Sequence, residues 1–136
     1  MSDAEYAEYE ATCKRIRAEN ALLLEEFAGW LKARGLAKST VAGHCERIEF
    51  YVNDFLLYED AVTAAEGFDR AGMFLGFWFI RKALWANRAH IRSNAASLKK
   101  FYAFMAETGR VSQEDLDGLK EKVKEEMPDW LATMDR

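Results

Sequence analysis

Arg88, Arg92 and Lys99 stand four and seven residues apart, a spacing that keeps three long cations within about 40° of one another around a helix axis. Lys100 follows directly. Such a stripe suits phosphodiesters, because lysine supplies point charge and the arginine forks supply two-pronged hydrogen bonds, while the neighbouring Ala96 lets a nucleic-acid backbone come close. A second set lies upstream. His44, Arg47 and Tyr51 recur at steps of three and four on what reads as a polar helix side, with Lys38, Ser39 and Thr40 at its start. Amides at that helix start would also attract a phosphate. The expected contacts with DNA are therefore Lys38, Ser39, Thr40, His44, Arg47, Arg88, Arg92, Lys99 and Lys100.

Other chemistry finds no motif to rest on. The chain has no Walker loop, GxGxxG, GxSxG or metal-spaced His/Cys set. Its only histidines are His44 and His90, and its two cysteines, Cys13 and Cys45, have the wrong number and spacing for a disulfide framework or a zinc knuckle. Cys45 falls on an apolar helix face and reads as a small buried hydrophobe. No catalytic residue, metal or cofactor is expected.

The elements that must carry the cations repeat a pattern. Val41, Cys45, Ile48, Val52 and Phe55 fall at steps of four, three, four and three, and so do Ile91, Ala95, Leu98, Tyr102 and Met105. Each set lines one face of a 3.6-period helix. Hairpin signals are absent. A first long helical segment carries Ile16, Leu23, Phe27, Trp30 and Leu31 and should stop at Gly35, with Leu36 placed for a Schellman contact. The second runs from Lys38 or Ser39 to about Tyr58, followed by a loop over 59–69. A third spans about Asp69 to Trp85. Asn87 is the expected N-cap of the fourth, which Gly109 ends. Ser112 with Asp115 should open a fifth helix that stops at Met127, before Pro128.

Quoted in full, LLEEFAGWLKARGLAKSTVAGHCERIEFYVNDFL and the later ANRAHIRSNAASLKKFYAFMAETGRV resemble the N-terminal core-binding (SAM-like) domain of phage integrases and other tyrosine recombinases. Those domains read as a helix ending in RGL, a turn, a helix opening Ser/Thr-Val, and later a helix of the type SALRSFYRFL. SLKKFYAFM is the more specific match, and the resemblance covers about residues 20–118. It implies an all-α, orthogonal four-helix bundle with N- and C-terminal helical extensions (1–19 and 119–136), in a single domain over 1–136. It further implies that the second and fourth helices lie side by side and clamp one face of double-stranded DNA. The partners it implies are the duplex and a recombinase catalytic domain or recombinase protomers. The family's catalytic Arg, Lys, His-x-x-Arg and nucleophilic Tyr belong to a second domain, so this chain is expected not to be an enzyme; His44-Cys45-Glu46-Arg47 matches His-x-x-Arg by coincidence. Departures are Lys38 for a usual proline, His44 for a frequent tyrosine, and the acids Glu46, Glu49 and Asp54 along the second helix. They predict modest affinity and poor sequence readout.

Charge distribution agrees better than its total. The 136 residues carry a formal net charge of −4, yet from Arg81 to Arg110 seven bases face the single acid Glu107. The N-terminal stretch is acidic and lacks the apolar run of a signal peptide, and Met73 to Ile80 is too short to span a bilayer, so a cytoplasmic address without membrane contact is expected.

In MFLGFWFIRKALW the apolar arc is wider than one core contact requires. Met73, Phe77, Ile80 and Leu84 take one face, and Phe74, Trp78 and Trp85 its neighbour. The surplus should be covered by the ends of the chain, through Tyr6, Tyr9 and Ile16 or through Trp130 and Leu131, with a protein interface, either self-association or a partner, as the alternative. Two other functions stay open: a helical protein-interaction module derived from the same fold, and a small enzyme with an unrecognised site.

Overall fold

The computed structural model describes residues 1–82 and 87–134. Helices dominate, and none of the described residues lies in a strand. In chain order they form α1 (Asp3–Ala33), α2 (Lys38–Glu49), a π-helical stretch (Phe50–Phe55), a 3-10 turn (Glu66–Asp69), α3 (Ala71–Met73), a second π-helical stretch (Phe74–Trp78), α4 (Phe79–Lys82), α5 (Arg88–Glu107) and α6 (Gln113–Met134). The chain divides into two compact units, Met1–Glu66 and Gly67–Arg136. The third expected helix corresponds to α3 through α4. Its last expected residues, with Leu84 and Trp85, lie outside the described ones.

In the first unit α1 is one continuous helix, with no break where an N-terminal extension was expected to meet the first bundle helix. Ser2 caps it, its Oγ accepting from the Glu5 amide at 3.2 Å. It stops as expected at Gly35, whose φ of 86° a side chain would disfavour. The Leu36 amide then donates to the Leu31 carbonyl at 3.3 Å and that of Gly35 to Lys32 at 3.0 Å, closing a Schellman cap. α1 packs against α2 and the first π-helical stretch. Val41, Ile48 and Val52 of the repeated pattern are buried as expected, and Cys45 is half-buried.

Two polar side chains of α1 secure the far end of this helix pair. Asn20, itself buried, donates through Nδ2 to the Val52 carbonyl at 3.3 Å and to Asn53 Oδ1 at 2.8 Å. The Tyr9 hydroxyl donates to the carbonyls of Leu57 and, at 3.2 Å, Tyr58. Each satisfies a carbonyl near a helix end that has run out of amides. Around them Cys13, Ile16 and Leu57 form an apolar cluster flanked by Tyr9 and Ala61.

In the second unit α5 is the helix with the widest buried arc. Ile91, Ala95, Leu98, Tyr102 and Met105 are all buried, as the repeated pattern predicts, and Asn94, Ser97, Phe101 and Phe104 join them. Asn87 caps it, Oδ1 accepting from the His90 amide at 3.0 Å, and Gly109 ends it with φ 77°. Ser112 and Asp115 form the expected reciprocal box, Asp115 N donating to Ser112 Oγ at 3.0 Å and Ser112 N to Asp115 Oδ2 at 3.3 Å.

α6 does not stop at Met127. It runs through Pro128 to Met134. A proline inside a helix loses one ladder bond and costs about 3 kcal/mol. Here the turn beyond it buries Trp130 and Leu131, each side chain contributing about 1.5–3 kcal/mol, which offsets that cost. Trp130 lies on the third helix at Gly76, where an added Cβ would sit 2.8 Å from Trp130 Cδ1. The C-terminal tail thus covers part of the apolar surplus, as expected; the N-terminal residues expected to share in this do not, since Tyr9 and Ile16 pack at Leu57 and Tyr6 is exposed. Met73 (59% exposed) and Phe77 (51%) stay at the surface.

Candidate nucleic-acid interface

α5 presents one outward face because its buried positions take up the rest of the circumference. Arg88, Arg92, Lys99 and Lys100 are all exposed, with Ala96 half-buried beside them. Between Arg88 and Lys100 the helix advances about 18 Å, roughly five base-pair steps along one DNA strand. Among the described residues Arg92, Lys99 and Lys100 make no ion pair. α5 also has no acid in its first turn. The face can therefore bring undischarged cations to a phosphate row.

α2 carries less than expected. Lys38, Ser39 and Thr40 are exposed at its start, where the N-cap is Ala37 and no side chain caps the first amides. His44, however, is 6% exposed and Tyr51 wholly buried, so neither lies on an outer polar side. The angular reason is plain. His44 lies about 60° around the helix from Val41, and Tyr51 the same from Ile48, which places both on the flank of a buried arc rather than opposite it. Arg47 is half-buried and folds back along its own helix: its Nη2 lies 3.5 Å from His44 Nδ1, and an added Cβ at Gly43 would meet its Nη1 at 3.3 Å. Of the five contacts expected from this helix, Lys38, Ser39 and Thr40 are open to a ligand, Arg47 would have to swing out, and His44 is enclosed.

Two weakly acidic groups, the Tyr102 phenol and the Cys45 thiol, are held neutral by their surroundings. Burial, reinforced by the negative charge of Asp69, drives the Tyr102 phenol far above its ordinary range and leaves it a core side chain. Burial also raises the Cys45 thiol, with Lys32 opposing and Glu49 adding to the effect, so it carries little thiolate at neutral pH. Among the described residues no three His, Cys, Asp or Glu side chains gather where a metal could bind, and no helix is long and apolar enough to cross a membrane.

The basic run is wider than the window from Arg81 to Arg110 suggests. From Arg70 to Ala106 the sequence has seven bases and not one Asp or Glu. The length of an acid-free stretch, rather than net charge over a chosen window, is the signal that marks this region. No protein-family model, curated protein or solved structure matches the chain.

Proposed function

We propose that the protein is a non-catalytic DNA-binding domain of the core-binding, SAM-like kind found in tyrosine recombinases, serving DNA integration or recombination. The observation that carries this reading is the exposed basic face of α5, Arg88, Arg92, Lys99 and Lys100, on a helix whose other side is buried. It acts through backbone phosphates. Lys38, Ser39 and Thr40 at the start of α2 supply a second set of contacts, and catalysis would come from a recombinase domain outside these 136 residues.

Four or five phosphate contacts predict a log-log salt slope of roughly −4, hence a fall in affinity of a few hundredfold between about 50 and 200 mM salt. Fluorescence anisotropy of the full chain with a 20-base-pair duplex measures it. Arg92→Glu with Lys99→Glu should abolish most of the binding; equal binding by the double variant and the wild type would overturn the reading.

One feature favours a second reading, a helical protein-interaction module. Met73 and Phe77 stand beside an open groove of about 700 Å³ that Gly72, Gly76 and Trp130 help to line. Exposed aromatic and methionine side chains next to a concavity are typical of protein contacts. Loss of partner capture on Phe77→Ser, with DNA binding absent throughout, would put this reading first.

A further inference from the structure

We propose that the corner joining α1 to α2 is a second, separate phosphate-contact site for duplex DNA, built by Lys32 and Arg34 together with Lys38. This inference rests on the DNA-binding reading above and adds to it two residues, Lys32 and Arg34, that the sequence pattern did not single out.

Charge segregation marks the corner. The unit over residues 1–66 carries seven bases against thirteen acids, a net charge of −6, so an interface with a polyanion is not to be expected of it as a whole. From Phe27 to Cys45, however, the chain contains no Asp or Glu and three of those seven bases, Lys32, Arg34 and Lys38. All three are exposed. The acids that outnumber them lie before residue 27 and after residue 45 along the chain.

Geometry fixes the group. Arg34 is the C-cap of α1, and the amides of Arg34 and Leu36 both return to the Leu31 carbonyl, at 3.1 and 3.3 Å, so the corner is closed tightly at Gly35. Lys38 is the first residue of α2, on the other side of that turn. Lys32 lies near enough to α2 for its charge to be felt at Cys45, where it opposes the rise that burial gives the thiol. Three cations from the end of one helix and the start of the next thus share one corner.

Arg34 is also held in place. Its guanidinium carbon lies 3.9 Å from the centroid of the Trp30 ring, and Trp30 in turn stacks on the buried Phe27, with ring centroids 6.3 Å apart and planes 25° from parallel. A guanidinium held this close to an aromatic face keeps a cation–π contact that limits its motion, and its fork of donors remains suited to the two-pronged grip on a phosphate. Less side-chain freedom remains to be lost on binding than for an arginine in open solvent. Lysine at position 34 would keep the charge and lose the fork.

The test uses the full chain and a 20-base-pair duplex, with affinity followed from about 50 to 300 mM salt for the wild type, Lys32→Gln with Arg34→Gln, and Arg34→Lys alone. With the corner's two contacts added, the wild-type slope should steepen to roughly −6, and losing them should flatten it by about 1.8, a loss of roughly 60-fold at about 0.1 M salt if the 1 M intercept holds. Arg34→Lys should keep the slope and weaken binding a few-fold. Both substitutions are at exposed positions, and circular dichroism checks that the helices persist. A double variant matching the wild type in slope and affinity, while Arg92→Glu with Lys99→Glu loses binding, would overturn the corner and leave the α5 interface standing. Absence of any duplex binding by the wild type at low salt would overturn both.

Discussion

The two units differ in how they hold their helices and in what they show to solvent. Residues 1–66 are net acidic at −6 and fasten α1 to the end of the second helix with polar straps, Asn20 to Val52 and Asn53 and Tyr9 to Leu57 and Tyr58. Residues 67–136, with twelve bases and ten acids, rely on bulk: nine buried residues on α5, and Trp130 seated on Gly76. A strongly basic face needs an apolar back. Because α5 buries so wide an arc, its remaining face is released from packing and can carry exposed charge. α2 draws His44 and Tyr51 inward instead, and has less surface left to offer.

The largest effect should come from removing the bulk that holds the second unit. Trp130→Ala deletes a side chain only 3% exposed and should cost about 3–5 kcal/mol, read as a lower midpoint in urea unfolding. A smaller loss would break the contrast between the units.

Next is the other side of that contact. Gly76→Ala should destabilise by about 1–3 kcal/mol, since the new methyl would stand 2.8 Å from Trp130 Cδ1. The same substitution on the Trp130→Ala background should be neutral or stabilising by up to about 1 kcal/mol, because alanine favours a helix over glycine. A cycle with no coupling would show that the tryptophan yields freely.

In the first unit Asn20→Ala should cost about 1–3 kcal/mol, leaving the Val52 carbonyl and the Asn53 side chain without their donor. Asn20→Leu should recover none of it. Recovery on Leu would mean that apolar fill matters here as it does in the second unit, and the comparison would blur.

The smallest effect is Tyr9→Phe, about 1 kcal/mol at neutral pH. The Tyr9 phenol is pushed up to about 12, by burial first and then by its hydrogen bond to Cys13. A folded value above the unfolded one, about 10, means this stabilisation is fully present below pH 10 and disappears as pH rises through about 12. The stability difference between Tyr9→Phe and wild type should therefore shrink over that range. A constant difference would take the phenol out of the strap.

Much of this architecture was legible in local chemistry. Gly35, Asn87, Gly109 and the Ser112–Asp115 pair punctuate helices at the expected places, because each acts on amides or carbonyls within a few residues of itself. What was not legible depends on distant partners. The passage of α6 through Pro128 requires a place to bury Trp130. The width of the buried arc on α2, which encloses His44, cannot be told from steps of three and four, since both flanks of an apolar stripe share that spacing. For the site, the stripe on α5 was readable because exposure there follows from the periodicity alone. The corner at Gly35 was not, as its cations belong to two helices and share no period.

The Tyr9 strap also has a consequence in time. It joins residues 48 positions apart, while no residue of α1 before Cys13 is buried. A contact of such long range forms only after its intervening chain has been ordered, and when it opens the first turns keep their Ser2 cap but no buried side chain to hold them. Amide protons over residues 3–9 should accordingly exchange with solvent deuterium much faster than those over 13–31, with the boundary set by one hydroxyl. Tyr9→Phe should move that boundary toward Cys13.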